Sequence, residues 1–326
     1  MKVLLTGASG FVGSHILDTL RARGIATAVL LRATSNKRFV EVHLPFVEVR
    51  QGSITEPASL QRALSDVTHV IHCAGCTKAQ PASQFYEINQ LGTRNVVGAI
   101  NAKQGSVERL VHISSLAAAG PAPADKPARE QDPPCPVSDY GRSKLAGEVE
   151  VRDHCRAPYA ILRPPGVYGP RDPEFLRLFK SVKAHLLPRP PGRQALSLVF
   201  VRDLAEAAVT CLQHPAAARK IYFVASPEVV TSRELAEEIA ACLNVRTLPL
   251  PLPLAALWLV CLAQETLSRL TGKPSVLSLQ KFAELRAPGW VCDSTLLRRE
   301  VGFKCSTTLK QGIAETLKWY RQEKWI

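Results

Sequence analysis

The chain is 326 residues long, 46% of them hydrophobic, with a formal net charge of +13 and a pI near 9.5. That is apolar material for one large core or two smaller ones. The Lys and Arg residues are scattered and accompany no recognition motif, which argues against a nucleic-acid partner and leaves an anionic cofactor, an acidic or coenzyme-linked substrate, an anionic membrane surface or a merely solvated face. Nine cysteines, odd in number and irregularly spaced, read as reduced thiols of a cytoplasmic protein, and the expected absence of a cleavable leader before the first strand fits that compartment.

In chain order, Val3 to Thr6 is a short strand-forming run, and Gly7-Ala8-Ser9-Gly10-Phe11-Val12-Gly13 follows it directly. The helical periodicity of Ser14 to Leu20 comes next. Glycine is needed where the backbone turns sharply, where phosphate approaches main-chain N–H groups and where a helix packs close to a sheet. A glycine run between a strand and a helix therefore predicts a dinucleotide site. Further strands are expected at Thr27 to Leu31, Phe46 to Val49, His69 to Cys73, Leu110 to Ser114 and Tyr159 to Leu162. The alternation with helical runs argues for a parallel sheet with helices on both faces, whose ligands bind at the carboxyl ends of the strands.

After the second strand stands Leu30-Leu31-Arg32-Ala33-Thr34-Ser35-Asn36-Lys37-Arg38, with no acid for a ribose 2′-hydroxyl. Arg32 can stack on adenine and meet a 2′-phosphate, with Lys37 or Arg38 adding charge, so NADP is preferred over NAD, with NAD still possible. The alternative is that Lys37 and Arg38 only solvate a loop. Cys73 and Cys76 form a C-x-x-C without the second pair or histidine that zinc would require, so no metal site is expected. Ala117 to Pro136, rich in alanine and proline, reads as a loop, by composition an ordinary surface connection.

Tyr140-Gly141-Arg142-Ser143-Lys144 places a phenol and an ammonium one helical turn apart on one face. A free phenol titrates near about 10, and a neighbouring fixed cation is expected to lower that value. Beyond residue 166 the alternation lapses, which implies a smaller second domain with a return to the first near 197–211. Leu248 to Ala263 is apolar but broken by Pro249, Pro251 and Pro253, and the uninterrupted part is too short to span a bilayer. A buried helix is the plain expectation; a greasy wall for a lipophilic substrate or a membrane-touching edge is the sharper one.

Together the glycine run, Ser114-Ser115, the Tyr140–Lys144 pair, His72-Cys73-Ala74-Gly75, Tyr86 to Val96, Ile161 to Pro170 and Phe200 to Ala205 resemble an extended short-chain dehydrogenase/reductase of the NAD-dependent epimerase/dehydratase superfamily. The pattern looks closest to the branch that includes dihydroflavonol reductase and 3β-hydroxysteroid dehydrogenase. The resemblance implies an α/β fold: a Rossmann-type doubly wound parallel sheet in residues 1–166, with a smaller, mainly substrate-binding domain in residues 167–326. It implies Ser115, Tyr140 and Lys144 as catalytic residues, Ser114 as a neighbour, and a ketone, aldehyde or alcohol as the small-molecule substrate. It also offers the Ala117 to Pro136 loop as a lid at the active site, the alternative to a plain surface connection. It places the cofactor against Gly7, Ser9, Gly10, Phe11, Val12, Gly13, Arg32, Lys37, Arg38, Ser53, Ile54, Cys73, Ala74, Gly75, Asn89, Tyr140, Lys144, Pro164 and Val167. At one point the chain departs from the family: Gly52-Ser53 stands where Gly-Asp is usual, which weakens or remakes the adenine contact.

The expected activity is an NADP-dependent hydride transfer on a hydrophobic or ring-bearing substrate. The alternative is a nucleotide-sugar epimerase or dehydratase with bound NAD, its diphosphate met by Arg171, Lys180, Arg189 or Arg193; a non-catalytic NADP sensor is a third. By resemblance a homodimer can form through the helices near Tyr86 to Lys103 and Tyr140 to Cys155. Val96, Val97 and Ile100 suit that interface or burial against the sheet equally.

Overall fold

A computed structural model describes residues 1–189, 194–251, 253–271 and 279–326. Its first half alternates β1 (Lys2–Thr6), α1 (Phe11–Ala22), β2 (Ala26–Leu31), β3 (Glu48–Gln51), α2 (Pro57–Ala63), β4 (His69–His72), α3 (Ser83–Tyr86), α4 (Gly92–Ala102), β5 (Arg109–Ile113), α5 (Leu116–Ala119), α6 (Asp139–His154) and β6 (Tyr159–Arg163). The second half runs β7 (Gly166–Tyr168), α7 (Pro173–Lys183), β8 (Leu186–Arg189), β9 (Ala195–Phe200), α8 (Val201–Gln213), β10 (Lys220–Phe223), β11 (Val229–Thr231) and α9 (Ser232–Leu243). It ends with β12 (Leu248–Pro251), α10 (Leu254–Thr271), α11 (Leu279–Leu285), β13 (Gly289–Trp290), α12 (Thr295–Val301) and α13 (Leu309–Gln322).

Seven strands form one sheet in the order β10-β6-β5-β4-β1-β2-β3, and every pairing in it is parallel. The central strands β1, β4 and β5 are buried on both faces, which is why they read as near-continuous apolar runs. One helical layer brings Ile16, Leu17 and Leu20 of α1 together with Leu204 and Val209 of α8 and Leu297 of α12. The other brings Leu60 of α2 together with Val96, Val97 and Ile100 of α4 and Val151 of α6. Val96, Val97 and Ile100 are therefore core residues and present no apolar patch to a second subunit.

A smaller sheet joins β11, β9 and β13, with β7 also on β9, and a separate ribbon pairs β12 with β8. Tyr168, Phe179, Phe200, Leu235, Ile239 and Tyr320 fill the second core between these strands and α7, α9 and α13.

Four local expectations are revised. The return to the large sheet runs past residue 211, because β10 takes its edge beside β6. The third strand begins at Glu48, since residues Glu41–Phe46 wind into a 3₁₀ turn around Pro45. The loop from Ala117 to Pro136 is neither a free lid nor a plain surface connection. Ala122 and Ala128 exchange backbone hydrogen bonds with Gly289, Val291 and Asp293, and the Glu130 carboxylate accepts from Phe223 N at 3.0 Å. Finally, α10 is not a buried helix: Leu257 and Cys261 turn inward, while Trp258, Leu259, Val260 and Leu267 are exposed.

Candidate functional site

The glycine turn lies between β1 and α1, at the carboxyl edge of the sheet. Gly7 has φ of +76°, and a Cβ there would meet Ala74 N at 2.6 Å; a Cβ on Gly13 would meet Gly7 O at 2.0 Å. Only glycine satisfies both positions. Gly10, exposed, caps the N-terminus of α1 with its backbone alone. The result is an open, positively polarised cradle suited to a pyrophosphate, flanked by half-buried Ser9, Phe11 and Val12. The residues present fit a dinucleotide.

Beside this cradle β4 ends in Cys73-Ala74-Gly75. Ala74 N donates to Thr6 Oγ1 at 3.2 Å, and Thr6 Oγ1 meets His72 Nδ1 at 2.7 Å. Burial, with Lys144 as the second cause, pushes His72 down to about 3, so it is a neutral strut. Burial also pushes the Cys73 thiol up to about 12, and Cys76 Sγ donates to Lys78 O at 2.8 Å. Neither thiol is activated. All nine cysteines are unpaired.

The carboxyl end of β5 and the first turns of α6 converge from the other side. Ser115 caps α5, its Oγ accepting from Ala117 N at 3.1 Å, and its hydroxyl lies close enough to Tyr140 to favour the phenolate. Leu116 N donates to Pro164 O at 2.7 Å, so the Pro164 backbone holds the start of α5 in place. The expected lowering of the phenol by Lys144 is not what the structure shows. Burial pushes Tyr140 up to about 12, partly offset by the Ser115 hydrogen bond. Lys144 Nζ donates instead to Ile113 O at 2.7 Å, and burial holds its ammonium down to about 8. A Cβ built on Gly75 would sit 3.8 Å from Lys144 Nζ, so the β4 loop and the lysine face one another.

Asn89 serves differently from its expected place against the cofactor. Its Nδ2 donates to Cys76 O and to Ser143 Oγ, each at 2.9 Å, and its Oδ1 accepts from Cys76 N at 2.8 Å. The amide is thus spent on clamping the β4 loop to α6. It lies in a π-helical turn, Glu87–Leu91, an irregularity often found at functional sites.

Around the adenine end the predicted residues divide. Arg32, directly after β2, is exposed, and its main chain closes a turn with Ser35. Lys37 is exposed as well. Arg38 is drawn to the C-terminal segment: its Nη2 donates to Glu323 Oε2 at 2.9 Å, and its guanidinium lies over the Phe39 and Trp325 rings. Ser53 Oγ meets Thr55 Oγ1 at 2.8 Å and accepts from Thr55 N, so this hydroxyl shapes its own turn. Ile54 packs in the core, with its carbonyl accepting from Asn95 Nδ2 at 2.9 Å. Val167, half-buried in β7, pairs with Val199 of β9.

Some contributors to the site escape motif reading. Glu148, one turn beyond Lys144, forms a buried ion pair with Arg163 at 2.6 Å and accepts from Ser114 Oγ. This pair joins the carboxyl ends of β5 and β6 to α6, and Glu148 continuing the i+4 series from Tyr140 was its only signal. Phe85 lies with its ring centroid 6.0 Å from that of Tyr140. Glu284 of α11 adds negative charge near the phenol. Gln280 of α11 accepts from Asp139 N at 2.8 Å. Nothing local to α11 in the sequence announces that contact.

A parallel sheet with a glycine cradle and a Ser–Tyr–Lys group at its carboxyl edge defines a nicotinamide-dinucleotide enzyme, and comparison with known proteins narrows the class. The model of the NAD dependent epimerase/dehydratase family matches residues 3–225. The chain is 30% identical to a ceramide reductase of Caulobacter vibrioides, over 99% of this chain and 96% of that protein. It is 28% identical to a UDP-glucose 4-epimerase of Vibrio cholerae, over 98% and 96%. Among solved structures it resembles gox2253, with a TM-score of 0.82, 25% identity and 98% of each chain covered. It also resembles the Thermus thermophilus UDP-glucose 4-epimerase complex with NAD, with a TM-score of 0.75, 27% identity and 98% and 99% covered. The chain belongs to the NAD-dependent epimerase/dehydratase family, the extended short-chain dehydrogenases/reductases. It is an NAD(P)-dependent enzyme, and the comparisons single out no branch within the family.

Proposed function

We propose that this enzyme is an NADP-linked carbonyl reductase, of the branch resembling dihydroflavonol reductase, acting on a hydrophobic or ring-bearing ketone or aldehyde. The observation that carries the proposal is the setting of Tyr140: a half-buried phenol beside the Phe85 ring and next to α11, which packs on an apolar α10. A protonated phenol is the form reduction needs. The similarity to a ceramide reductase supports a lipophilic substrate. The exposed Arg32, with no acid after β2, supports a 2′-phosphate.

NADPH, when bound along Gly7, Gly10 and Gly13, supplies the hydride to the carbonyl carbon. Tyr140 gives its proton to the substrate oxygen, and Ser115 donates a hydrogen bond to that oxygen, where charge develops. Lys144, its ammonium anchored on Ile113 O and facing the β4 loop, would hold the nicotinamide ribose by the family analogy. Glu148 and Arg163 hold α6 against the sheet, so that Tyr140 and Ser115 keep their alignment.

The test is to titrate purified protein separately with NADPH and NADH by nicotinamide fluorescence, then to screen hydrophobic carbonyl compounds for NADPH oxidation. Tight NADPH with weak NADH and turnover of such a compound is expected. NAD carried through purification, with a rise in melting temperature on adding UDP-glucose, would overturn it in favour of a nucleotide-sugar epimerase. The similarity to UDP-glucose 4-epimerases favours that second reading. Against it, Arg171 is ion-paired to Asp18 at 2.8 Å. Lys180 is exposed on α7, while Arg193 and the side chain of Arg189 lie outside the described residues.

A further inference from the structure

α10 and the β8–β12 ribbon, neighbours in the chain, have no part in hydride transfer, yet they depart furthest from an ordinary protein surface. No charged residue interrupts the sequence from Leu254 to Gln264. Leu248 is 72% exposed, Leu259 58%, Leu267 60% and Leu270 80%, with Trp258 beside them at 42%. A surface helix of a water-soluble protein turns such residues inward, and exposed apolar side chains clustered along one helix mark an interaction site. None of the described helices is long and apolar enough to cross a membrane.

Two observations identify what covers this face. The first is charge. Leu186 of β8 pairs with Leu248 of β12, and the exposed Lys183 and Arg246 stand just before them in the chain. Neither segment, 183–189 or 245–251, contains an acidic residue, in a chain of net charge +13. Apolar side chains bordered by cations match an anionic lipid surface. The second is position. α11 packs on α10 and meets the start of the catalytic helix through Gln280 and Asp139. One short helix therefore separates the apolar face from the neighbourhood of Tyr140.

We propose that α10 and the β8–β12 ribbon lie in the plane of an anionic bilayer surface. Trp258, Leu259 and Leu267 enter the acyl boundary, while Lys183 and Arg246 meet lipid phosphates. A lipid-soluble substrate then reaches Tyr140 from the bilayer along α11. Docking goes beyond the reductase reading and does not depend on it, whereas substrate entry along α11 rests on that reading.

The full chain is sedimented with vesicles of phosphatidylcholine alone and of phosphatidylcholine mixed with phosphatidylglycerol, at low and high salt. Binding to the mixed vesicles, weakened by salt, is expected. The double variant Trp258→Glu/Leu259→Glu should lose that binding by about tenfold or more while its NADPH titration is unchanged. Lys183→Glu/Arg246→Glu should weaken binding to the anionic vesicles about tenfold or more. Quenching of tryptophan emission by brominated lipid, abolished in Trp258→Phe, reads the same contact without a destabilising change. The proposal is overturned if wild-type protein stays in the supernatant with both vesicle types, or if the Glu variant binds as wild type does. It is equally overturned if the protein is a dimer that this variant splits and no vesicle is bound, because a second copy then covers the face. Loss of NADPH binding with vesicle binding intact overturns the cofactor assignment alone.

Discussion

Helices α6 and α10, both in contact with α11, are built in opposite ways. α6 is polar in sequence, yet buries Ser143, Lys144, Glu148 and Glu150, each tied to a partner: Lys144 to Ile113 O, Glu148 to Arg163, Glu150 to Arg94. α10 is apolar in sequence and leaves Trp258, Leu259 and Leu267 exposed. Each inverts the usual rule of apolar inside and polar outside. Buried, partnered charges cannot reorganise, which is what a proton-transfer site requires. Trp258, Leu259 and Leu267 of α10 stay exposed, which is what the proposed lipid contact requires. The two helices break the same rule through different physics.

The sharpest way to test the α6 half is to remove its acid. Tyr140→Phe should lower turnover by about a thousandfold and leave NADPH affinity within a small factor; comparable turnover in the variant would remove Tyr140 from the chemistry. Next comes the pair beneath it. Glu148→Gln leaves Arg163 buried without its counter-charge and should cost about 3–5 kcal/mol of stability in urea denaturation. Glu148→Leu with Arg163→Met should recover much of that loss, and a single variant as stable as wild type would show that the pair is not structural.

Arg32→Ala should weaken NADPH by about tenfold or more while leaving NADH unchanged. Equal losses for both cofactors would show that Arg32 holds the loop rather than a phosphate. The smallest effect is on pH. Lys144 is held down to about 8 by burial, so its ammonium is present below that value and lost as pH rises through it. Tyr140, up at about 12, stays protonated throughout. The kcat/KM of reduction is therefore expected to fall above about pH 8, and Lys144→Arg, whose cation persists, should flatten that fall. A fall that is identical in the variant assigns it to another group.

Much of the nucleotide-binding half was legible, for reasons that can be named. The strands from Val3, Thr27, His69, Leu110 and Tyr159 are apolar runs bounded by turn residues, and each occupies a strand within a residue or two of expectation. β3 starts two residues later than its apolar run suggests, because Pro45 sits in a 3₁₀ turn and the strand is an edge with polar Glu48 and Gln51. The Tyr140–Lys144 spacing is a helical fact and held as geometry. Its electrostatics did not: the lysine found a carbonyl, and the buried phenol rose. Ser53, Arg38 and Asn89 illustrate the same limit, since each has its polar group taken by a neighbour that no motif specifies.

By itself the sequence determined what depends on local backbone chemistry. It set where only glycine can turn, which residues share a helical face, and which runs are apolar enough to lie inside a parallel sheet. Tertiary structure alone decided what depends on distant partners. It brought Gln280 to the start of α6 across 141 positions of chain, turned Val96 and Val97 inward, and left Leu259 and Leu267 outside. Burial and Coulomb energies belong to the neighbours a side chain acquires, and long-range packing chooses those neighbours.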